Sequence, residues 1–366
     1  MKKLFLFFIF LVICERSVGQ GINQQATISV SDLYVPSSPG LILMDKAPSS
    51  VDKPTTPKTF GASLLNLAQG GALQVTPFWL FNHPNLNVRN YTKSGETPLF
   101  IQTFNISLAT IKSDTNYTFG LGFKTQFLRI YSKKSKSKID KSIDLIVDGS
   151  TTDNPISDIG VLIRLVKRDS AKLNATESDD AKQIILNDIE DKLAEIKADT
   201  SKINSDLKSY QTLVNKPLFC IELAGAIAGS TPNKPFTNTS ELSLNKSGVW
   251  LNLRVSPNDQ PLDFVAVARY EHANNYITGD TKNDSAFFDY GASLFYSNKK
   301  FDISGEYVNR EDVRAKKNYN RLAFAINYKL SDNIVFVSSF GKNFDNVENF
   351  FTIIGVNFGI SSTVQK

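Results

Sequence analysis

Apolar and polar residues alternate with a period of two along much of this chain. In the stretch 115–131, Phe119 and Leu121 share one face with other apolar residues, while Gly120 and Lys124 share the opposite face with polar and small ones. Such alternation predicts β-strands with one apolar and one polar face. Eleven segments show the pattern: 71–81, 98–111, 115–131, 218–229, 247–256, 262–272, 285–297, 300–309, 319–330, 333–341 and 349–360.

The composition of the two faces distinguishes a soluble sandwich from a membrane barrel. A soluble sheet sends long charged side chains to water, whereas the non-apolar faces here often carry small residues, such as Gly355 and Gly359 opposite Ile354 and Phe358. Aromatic residues lie near many strand ends, as in the girdles of membrane barrels. Each segment is close to the about 9 to 11 residues of a tilted spanning strand. The pattern favours an all-β fold, an antiparallel transmembrane β-barrel.

Loop lengths predict the strand count and the side of each connection. With eleven strands, the alternation of short turns and long loops fails across 150–216, and a twelfth strand at 141–149 restores it. We predict about twelve strands, with ten or fourteen as alternatives. Membrane barrels keep short turns in the periplasm. This places the insert 150–216 and both termini there, and it places the loop 82–97 and the lysine-rich segment after Tyr131 outside.

The insert 150–216 changes to a helical period. Apolar residues recur at spacings of three and four from Leu186 to Val214, interrupted by Thr200, which predicts an α-helical, coiled-coil-like element. One interpretation is a self-contained helical hairpin with an earlier helix within 155–183. The other is docking of a periplasmic partner or a second copy through Leu186, Ile189, Leu193, Ile196, Ile203 and Leu207.

The N-terminal region divides into a leader and an arm. Residues 1–19 combine two lysines, an apolar run and a small-residue exit, which is typical of a cleaved signal peptide. A lipoprotein anchored at Cys14 is the alternative. Residues 20–70 form a Pro-rich arm, which we expect in the periplasm and in which 60–70 is compatible with one short helix. The barrel strands then occupy 71–149 and 217–366 on either side of the insert.

The leader, the repeated amphipathic strands and the terminal strand FFTIIGVNFGI resemble Gram-negative outer-membrane β-barrels. The chain departs from that pattern by continuing with SSTVQK after the terminal strand. The arm containing PTTPKTFGASLLN is similar to the N-terminal region of uncharacterised Bacteroidetes barrel proteins. The resemblance implies localisation in the outer membrane, contact with its lipid and lipopolysaccharide, and recognition of the last strand by the barrel insertion machinery.

Alternation turns charged residues of both signs toward the lumen. We predict a porin-like diffusion channel lined by these groups; an ion-pair network filling the interior of a non-conducting structural or docking protein is the alternative. An open lumen favours the channel, and a lumen occupied by side chains or by residues 22–70 favours the alternative. The predicted lumen-lining residues are Lys124, Glu222, Arg254, Arg269, Glu271, Asp289, Glu306, Arg321 and Lys329.

The lysine cluster after Tyr131 is either a solvated loop or a binding site for lipopolysaccharide phosphates. Its members are Lys133, Lys134, Lys136, Lys138 and Lys141.

Motifs and charge narrow the remaining function classes. The chain carries a net charge of +5, and loss of 1–19 removes +2 of it, which leaves about +3 and favours no nucleic-acid partner. No G-x-S-x-G or H-E-x-x-H occurs, and the two histidines, His83 and His272, lie near predicted loops, with Glu271 beside the latter. We therefore predict no enzyme activity, no metal site and no cofactor.

Overall fold

The computed structural model describes most of the chain. The described residues are 27–29, 37–55, 58–66, 70–81, 98–112, 116–147, 165–172, 179–232, 243–257, 260–278, 281–298, 300–331, 333–344, 350–360 and 363–365. The predicted signal peptide, its cleavage site and His83 lie outside these ranges.

Twelve antiparallel strands close into a barrel, as predicted. Each strand pairs with its neighbours in sequence, and the last pairs with the first in the register Ile360 to Phe60. The strands are β1 Phe60–Leu65, β2 Gly70–Val75, β3 Asn105–Lys112, β4 Asn116–Ile130, β5 Phe219–Pro232, β6 Ser243–Val255, β7 Leu262–Thr278, β8 Thr281–Ser297, β9 Phe301–Asp312, β10 Lys317–Ser331, β11 Ile334–Lys342 and β12 Phe350–Ile360.

The barrel is apolar outside and polar inside, which is the arrangement of a membrane-spanning barrel. On β12, Ile354 and Phe358 are exposed on the outer surface, whereas Gly355, Asn357 and Gly359 are buried inside. The same alternation of exposed large apolar residues and buried polar or small residues runs along β10, from Arg321 onward. Among the described residues, no helix has both the length and the hydropathy of a membrane span.

The two ends of the barrel differ in what they carry. We call the end at Phe60 and Ile360 the terminal rim and the opposite end, where β1 turns into β2, the far rim. A short ladder pairs Thr27–Ser29 with Thr363–Gln365, beyond the terminal rim. The insert also leaves and rejoins the barrel there, because Ile130 pairs with Phe219. The insert and both termini thus share one end, as predicted.

Helices occupy the insert and parts of the predicted strands. They are α1 Pro39–Leu43, α2 Leu99–Thr103, α3 Lys133–Val147 and α4 Asp179–Val214, with a further helical stretch at 165–172. α4 packs against α3, and its end is fixed to the barrel by the Tyr131 hydroxyl, which donates to the carbonyl of Val214 at 2.8 Å.

The predicted twelfth strand at 141–149 is wrong. The residues as far as Val147 belong to α3, where Ile139 is buried and Ile143 and Ile146 follow at helical spacings of four and three. The twelfth strand is β1, within the stretch whose sequence suggested a short helix. Its inward residues include Gly61 and Ser63, so it shows little apolar contrast.

Because the additional strand is β1 and not 141–149, the first connections lie at the opposite ends of the barrel from those predicted. The end of β2 at Val75, the start of β3 at Asn105 and the lysines of α3 lie at the terminal rim, with the insert and termini, whereas the end of β3 at Lys112 and the start of β4 at Asn116 lie at the far rim. The connecting residues 82–97 and 113–115 lie outside the described ranges. Two predicted strands are shorter than expected, because 77–80 form a 3-10 helix and α2 replaces the start of 98–111.

Candidate functional site: the luminal segment

The charged residues predicted to face the lumen lie largely inside the barrel. Eight of the nine are at most 4% exposed: Lys124, Glu222, Arg254, Arg269, Glu271, Asp289, Glu306 and Arg321. Lys329, near the terminal end of β10, is only partly buried. Most of the eight contact one another or the chain described next, and whether they line a conducting passage stays a prediction.

Part of the Pro-rich arm runs through the barrel interior. We call residues 37–55 the luminal segment. The prediction of a periplasmic arm is wrong for these residues, because they form hydrogen bonds and ion pairs with inward side chains of β4 and of β6 to β11. The segment enters from the side of the terminal rim, reaches toward the far rim at Asp45 and returns to β1.

The first half of the luminal segment is the helix α1. Pro39 suits the first helical position, because its fixed φ matches a helix and its missing N–H needs no acceptor there. Leu41, Ile42 and Leu43 are at most 1% exposed and form the core of the barrel interior. The residue that ends the turn after the helix, Asp45, has φ 56, which Asp tolerates better than most residues.

The wall is built from small residues where α1 packs. A Cβ atom placed on Gly120 would lie 2.9 Å from the Cα of Gly40, and one placed on Gly122 would lie 2.7 Å from the Cβ of Pro39. Ala109 is fully buried at the same contact. The small inward residues of β3 and β4 therefore make room for a helix inside the barrel.

At the far rim, Asp45 joins the tip of the segment to a charged cluster. Arg310 donates from both terminal nitrogens to the two carboxylate oxygens of Asp45, at 3.1 Å each, and Lys246 donates to one of them at 2.9 Å. Glu271 lies 3.0 Å from Lys246 and 3.3 Å from Arg310. Asp289 accepts from both Arg310 and Arg269.

In the middle of the barrel, Glu306 binds the returning half of the segment. Its carboxylate accepts from the backbone N–H of Ser50 at 2.9 Å and of Val51 at 3.0 Å, and also from the Ser49 hydroxyl. Arg321 donates to the same carboxylate at 2.7 Å. Hydrogen bonds to a charged acceptor are stronger than neutral ones, so this carboxylate is a principal attachment point.

Nearer the terminal rim, further ion pairs connect the segment to the wall. Asp52 lies 2.9 Å from the Lys124 amine. Lys53 lies 3.0 Å from Asp302 and 3.6 Å from Asp263, and Arg254 shares Asp263 at 3.1 Å. Removing one partner of a buried pair leaves an uncompensated charge, which is strongly destabilising. These pairs therefore fix the position of the segment inside the barrel.

The sequence allows an arm inside the lumen only as one alternative and does not single out residues 37–55, although two signals point to them. One is the apolar run GLILM at 40–44 inside an otherwise polar, Pro-rich arm. The other is the small inward residues of β3 to β5, which leave volume that a lumen of about twelve strands must fill. The ion pairs themselves have no local signal, because Asp45 and Arg310 lie 265 positions apart.

The remaining predicted sites lie outside the barrel interior or on its outer face. Lys133, Lys134, Lys136, Lys138 and Lys141 are all exposed on α3, at the same rim as the termini and not at the opposite one. His272 lies on the outer face of β7 and Glu271 on the inner face, so these neighbours do not form a pair.

The heptad residues lie on α4, and the structure describes three of their side chains. Leu186 and Leu193 are exposed, and Ile189 is partly buried. Ile196, Ile203 and Leu207 have no described side-chain environment. The prediction that they dock a partner stays a prediction.

No protein-family model and no curated protein matches the chain. Solved structures that are similar include a porin with 7% identity and a TM-score of 0.28, covering 80% of this chain and 78% of that one. The outer membrane channel DcaP of Acinetobacter baumannii has 8% identity and a TM-score of 0.28, with 92% and 70% covered. OmpT, an outer membrane protein of Vibrio cholerae, has 8% identity and a TM-score of 0.26, with 82% and 96% covered. At this level of similarity, the barrel assignment depends on the strand pairing and faces described above.

Proposed function

We propose that this protein is an outer-membrane β-barrel of a Gram-negative bacterium whose interior is closed by its own luminal segment. In this state it is not an open diffusion pore, and solutes pass only when the segment leaves its position. The observation that carries the proposal is the path of residues 37–55, which contact inward side chains around the barrel from the terminal rim to Asp45. The apolar outer surface and polar interior support the membrane location.

The path of the chain permits withdrawal of the segment without threading. The ladder at Thr27–Ser29 and the start of β1 at Phe60 both lie at the terminal rim. A loop whose two ends leave by the same rim can move out through that rim while both ends stay attached. The wall contacts beyond α1 are mainly ion pairs and hydrogen bonds, whose partners water can solvate after withdrawal.

Ionic current across planar lipid bilayers tests this proposal. We expect the mature full-length protein to be silent at moderate voltage and a variant lacking residues 37–55 to give stepwise currents. A deletion of equal length in α4, residues 184–202, lies outside the barrel and serves as the matched control, for which we expect silence. A full-length protein that conducts as well as the 37–55 deletion would show that the segment does not close the lumen.

A second candidate function, docking of a partner at the terminal rim, rests on α4. This helix leaves Leu186 39% and Leu193 49% exposed, beside the packed helix α3. A second copy of this chain would cover those side chains in a coiled-coil contact. Native mass spectrometry in detergent tests this: a dimer that is lost on Leu193→Lys supports self-docking, and a monomeric wild-type protein contradicts it.

A further inference from the structure

Arg310 and Lys246 form a positively charged cradle at the far rim that the barrel wall itself holds in place. Arg310 donates from Nε to Asp289 at 2.8 Å and from Nη2 to the same carboxylate at 2.9 Å. The guanidinium also lies 3.8 Å from the centroid of the Phe344 ring. Lys246 is held by Glu271 at 3.0 Å. None of these supporting contacts involves the luminal segment, so Arg310 and Lys246 keep their positions on the wall when the segment is absent.

The cradle has the geometry of a carboxylate site. Its occupant is Asp45, whose two oxygens each receive one terminal nitrogen of Arg310, while the Lys246 amine contacts one of them. Two parallel N–H···O bonds from one guanidinium match the planar fork of a carboxylate. Asp45 thus shows which chemical group the cradle accepts.

Charge balance in the cluster points to the same ligand. On the wall, Lys246, Arg310 and Arg269 face two carboxylates, those of Glu271 and Asp289, which leaves one net positive charge. Asp45 neutralises it. Arg269 also contributes to the field at Asp45, and its Nη1 is buried without an acceptor among the described residues. One further carboxylate therefore balances the charge of the cluster.

The cradle is also the part of this cluster that solvent reaches. The side chains of Lys246 and Asp45 are 25% and 17% exposed, whereas those of Arg269, Asp289 and Glu271 are at most 1% exposed. A solute at the far rim therefore meets Lys246 before any other charge of the cluster.

We propose that Arg310 and Lys246 are a binding site for the carboxylate group of a solute arriving at the far rim, and that Asp45 occupies this site in the closed barrel. The inference rests on the proposed displacement of the luminal segment, because the solute and Asp45 compete for one cradle. Binding of the solute releases the tip of the segment, and the wall keeps its charge balance throughout.

Acetate, a fragment with the chemistry of the Asp45 side chain, tests the site, and acetamide is its neutral counterpart. The chain has two tryptophans, and Trp250 is buried with Arg269 positioned 5.8 Å from its ring. A Trp79→Phe background therefore makes Trp250 the single reporter beside the cluster. The full mature chain is titrated in detergent at constant ionic strength. It carries Asp45→Gly, because glycine tolerates the positive φ at this position and leaves the cradle empty.

We expect acetate to change Trp250 fluorescence saturably in Asp45→Gly and acetamide to have no effect. Adding Arg310→Gln should weaken acetate binding by at least about tenfold, because the fork is lost. Asp45→Asn keeps the side-chain shape and should show weaker binding that still depends on Arg310; it serves as the second variant if Asp45→Gly does not fold. In Asp52→Asn, which loosens the segment elsewhere but leaves Asp45 in the cradle, the response should be much weaker.

The site is refuted if acetate and acetamide act alike, if Arg310→Gln leaves the affinity unchanged, or if Asp52→Asn responds as strongly as Asp45→Gly. Because fluorescence reports binding and not current, a silent 37–55 deletion overturns the proposed function without touching this result.

Discussion

Replacing Glu306 with Gln probes the main attachment of the luminal segment in the middle of the barrel. The carboxylate accepts from Arg321 and from the backbone N–H groups of Ser50 and Val51, all within 3.0 Å. Glutamine has the same shape, but it offers one neutral carbonyl oxygen and adds two donors that face existing donors. The two backbone hydrogen bonds therefore lose their charged acceptor, and the new NH2 group faces either Arg321 or the N–H of Val51.

The size of the effect follows from these contacts. A hydrogen bond to a charged group contributes about 1.5 to 3 kcal/mol. Weakening two such bonds should destabilise the docked segment by about 3 kcal/mol, which corresponds to about a hundredfold change in its opening equilibrium. Amide exchange that requires opening of the segment should accelerate by the same factor.

Hydrogen exchange of the detergent-folded protein, measured by mass spectrometry on a peptide covering 47–55, reports the opening of the segment directly. Glu311→Gln is the matched control, because Glu311 lies on the same strand with its side chain exposed outside the barrel. We expect the control to leave exchange of 47–55 unchanged. If Glu306→Gln changes that exchange by less than about threefold, the carboxylate does not hold the segment and the argument from its contacts is wrong.

Two further perturbations address the fit of α1 and the insert. Gly120→Ala places a Cβ 2.9 Å from the Cα of Gly40, so exchange of the amides of residues 40–44 should accelerate by about tenfold. Gly305→Ala, whose Cβ meets only the Phe324 ring on the outer surface, should not change this exchange. In the insert, the hydrogen bond from Lys192 lowers the pKa of Asp169 to about 2. Since this pKa is depressed, the contact stabilises the insert above pH about 4 and is lost as pH falls toward 2. Ellipticity at 222 nm of the full protein should fall over that window, and Asp169→Asn should reduce the fall without removing it, because Asp188 also pairs with Lys192.

The regular strands were predictable because their outer faces carry the signal. Strands such as β10 and β12 bury polar or small residues inside and expose large apolar ones outside, and this contrast survives in a single sequence. β1 was missed because it is only six residues long and ends on two leucines, Leu64 facing outward and Leu65 buried, which interrupts the alternation. The stretch 141–149 was misassigned because a short apolar run fits either period.

The wall of the candidate site was predictable, whereas occupation of the lumen by residues 22–70 was only one alternative and its contacts could not be predicted. Inward charges such as Arg254 and Glu306 follow from strand parity alone. Their partners do not, because residues 37–55 lack a repeating period and contact side chains more than 200 positions away, as in Ser50 with Glu306. Long-range pairing of this kind has no local sequence signature.

Disulfide trapping tests the position of the luminal segment most directly. A Cβ placed on Gly40 lies 3.0 Å from the Cβ of Ala109 on the inner wall, and a disulfide needs about 3.5 to 4.5 Å, which a small shift provides. Leu108, the next residue on β3, is exposed outside the barrel and supplies the matched control partner. We predict that oxidised Gly40→Cys/Ala109→Cys yields a cross-linked peptide pair in mass spectrometry and that Gly40→Cys/Leu108→Cys does not. Free thiols at positions 40 and 109 in the first variant, or equal cross-linking in both, would contradict the placement of this segment inside the barrel.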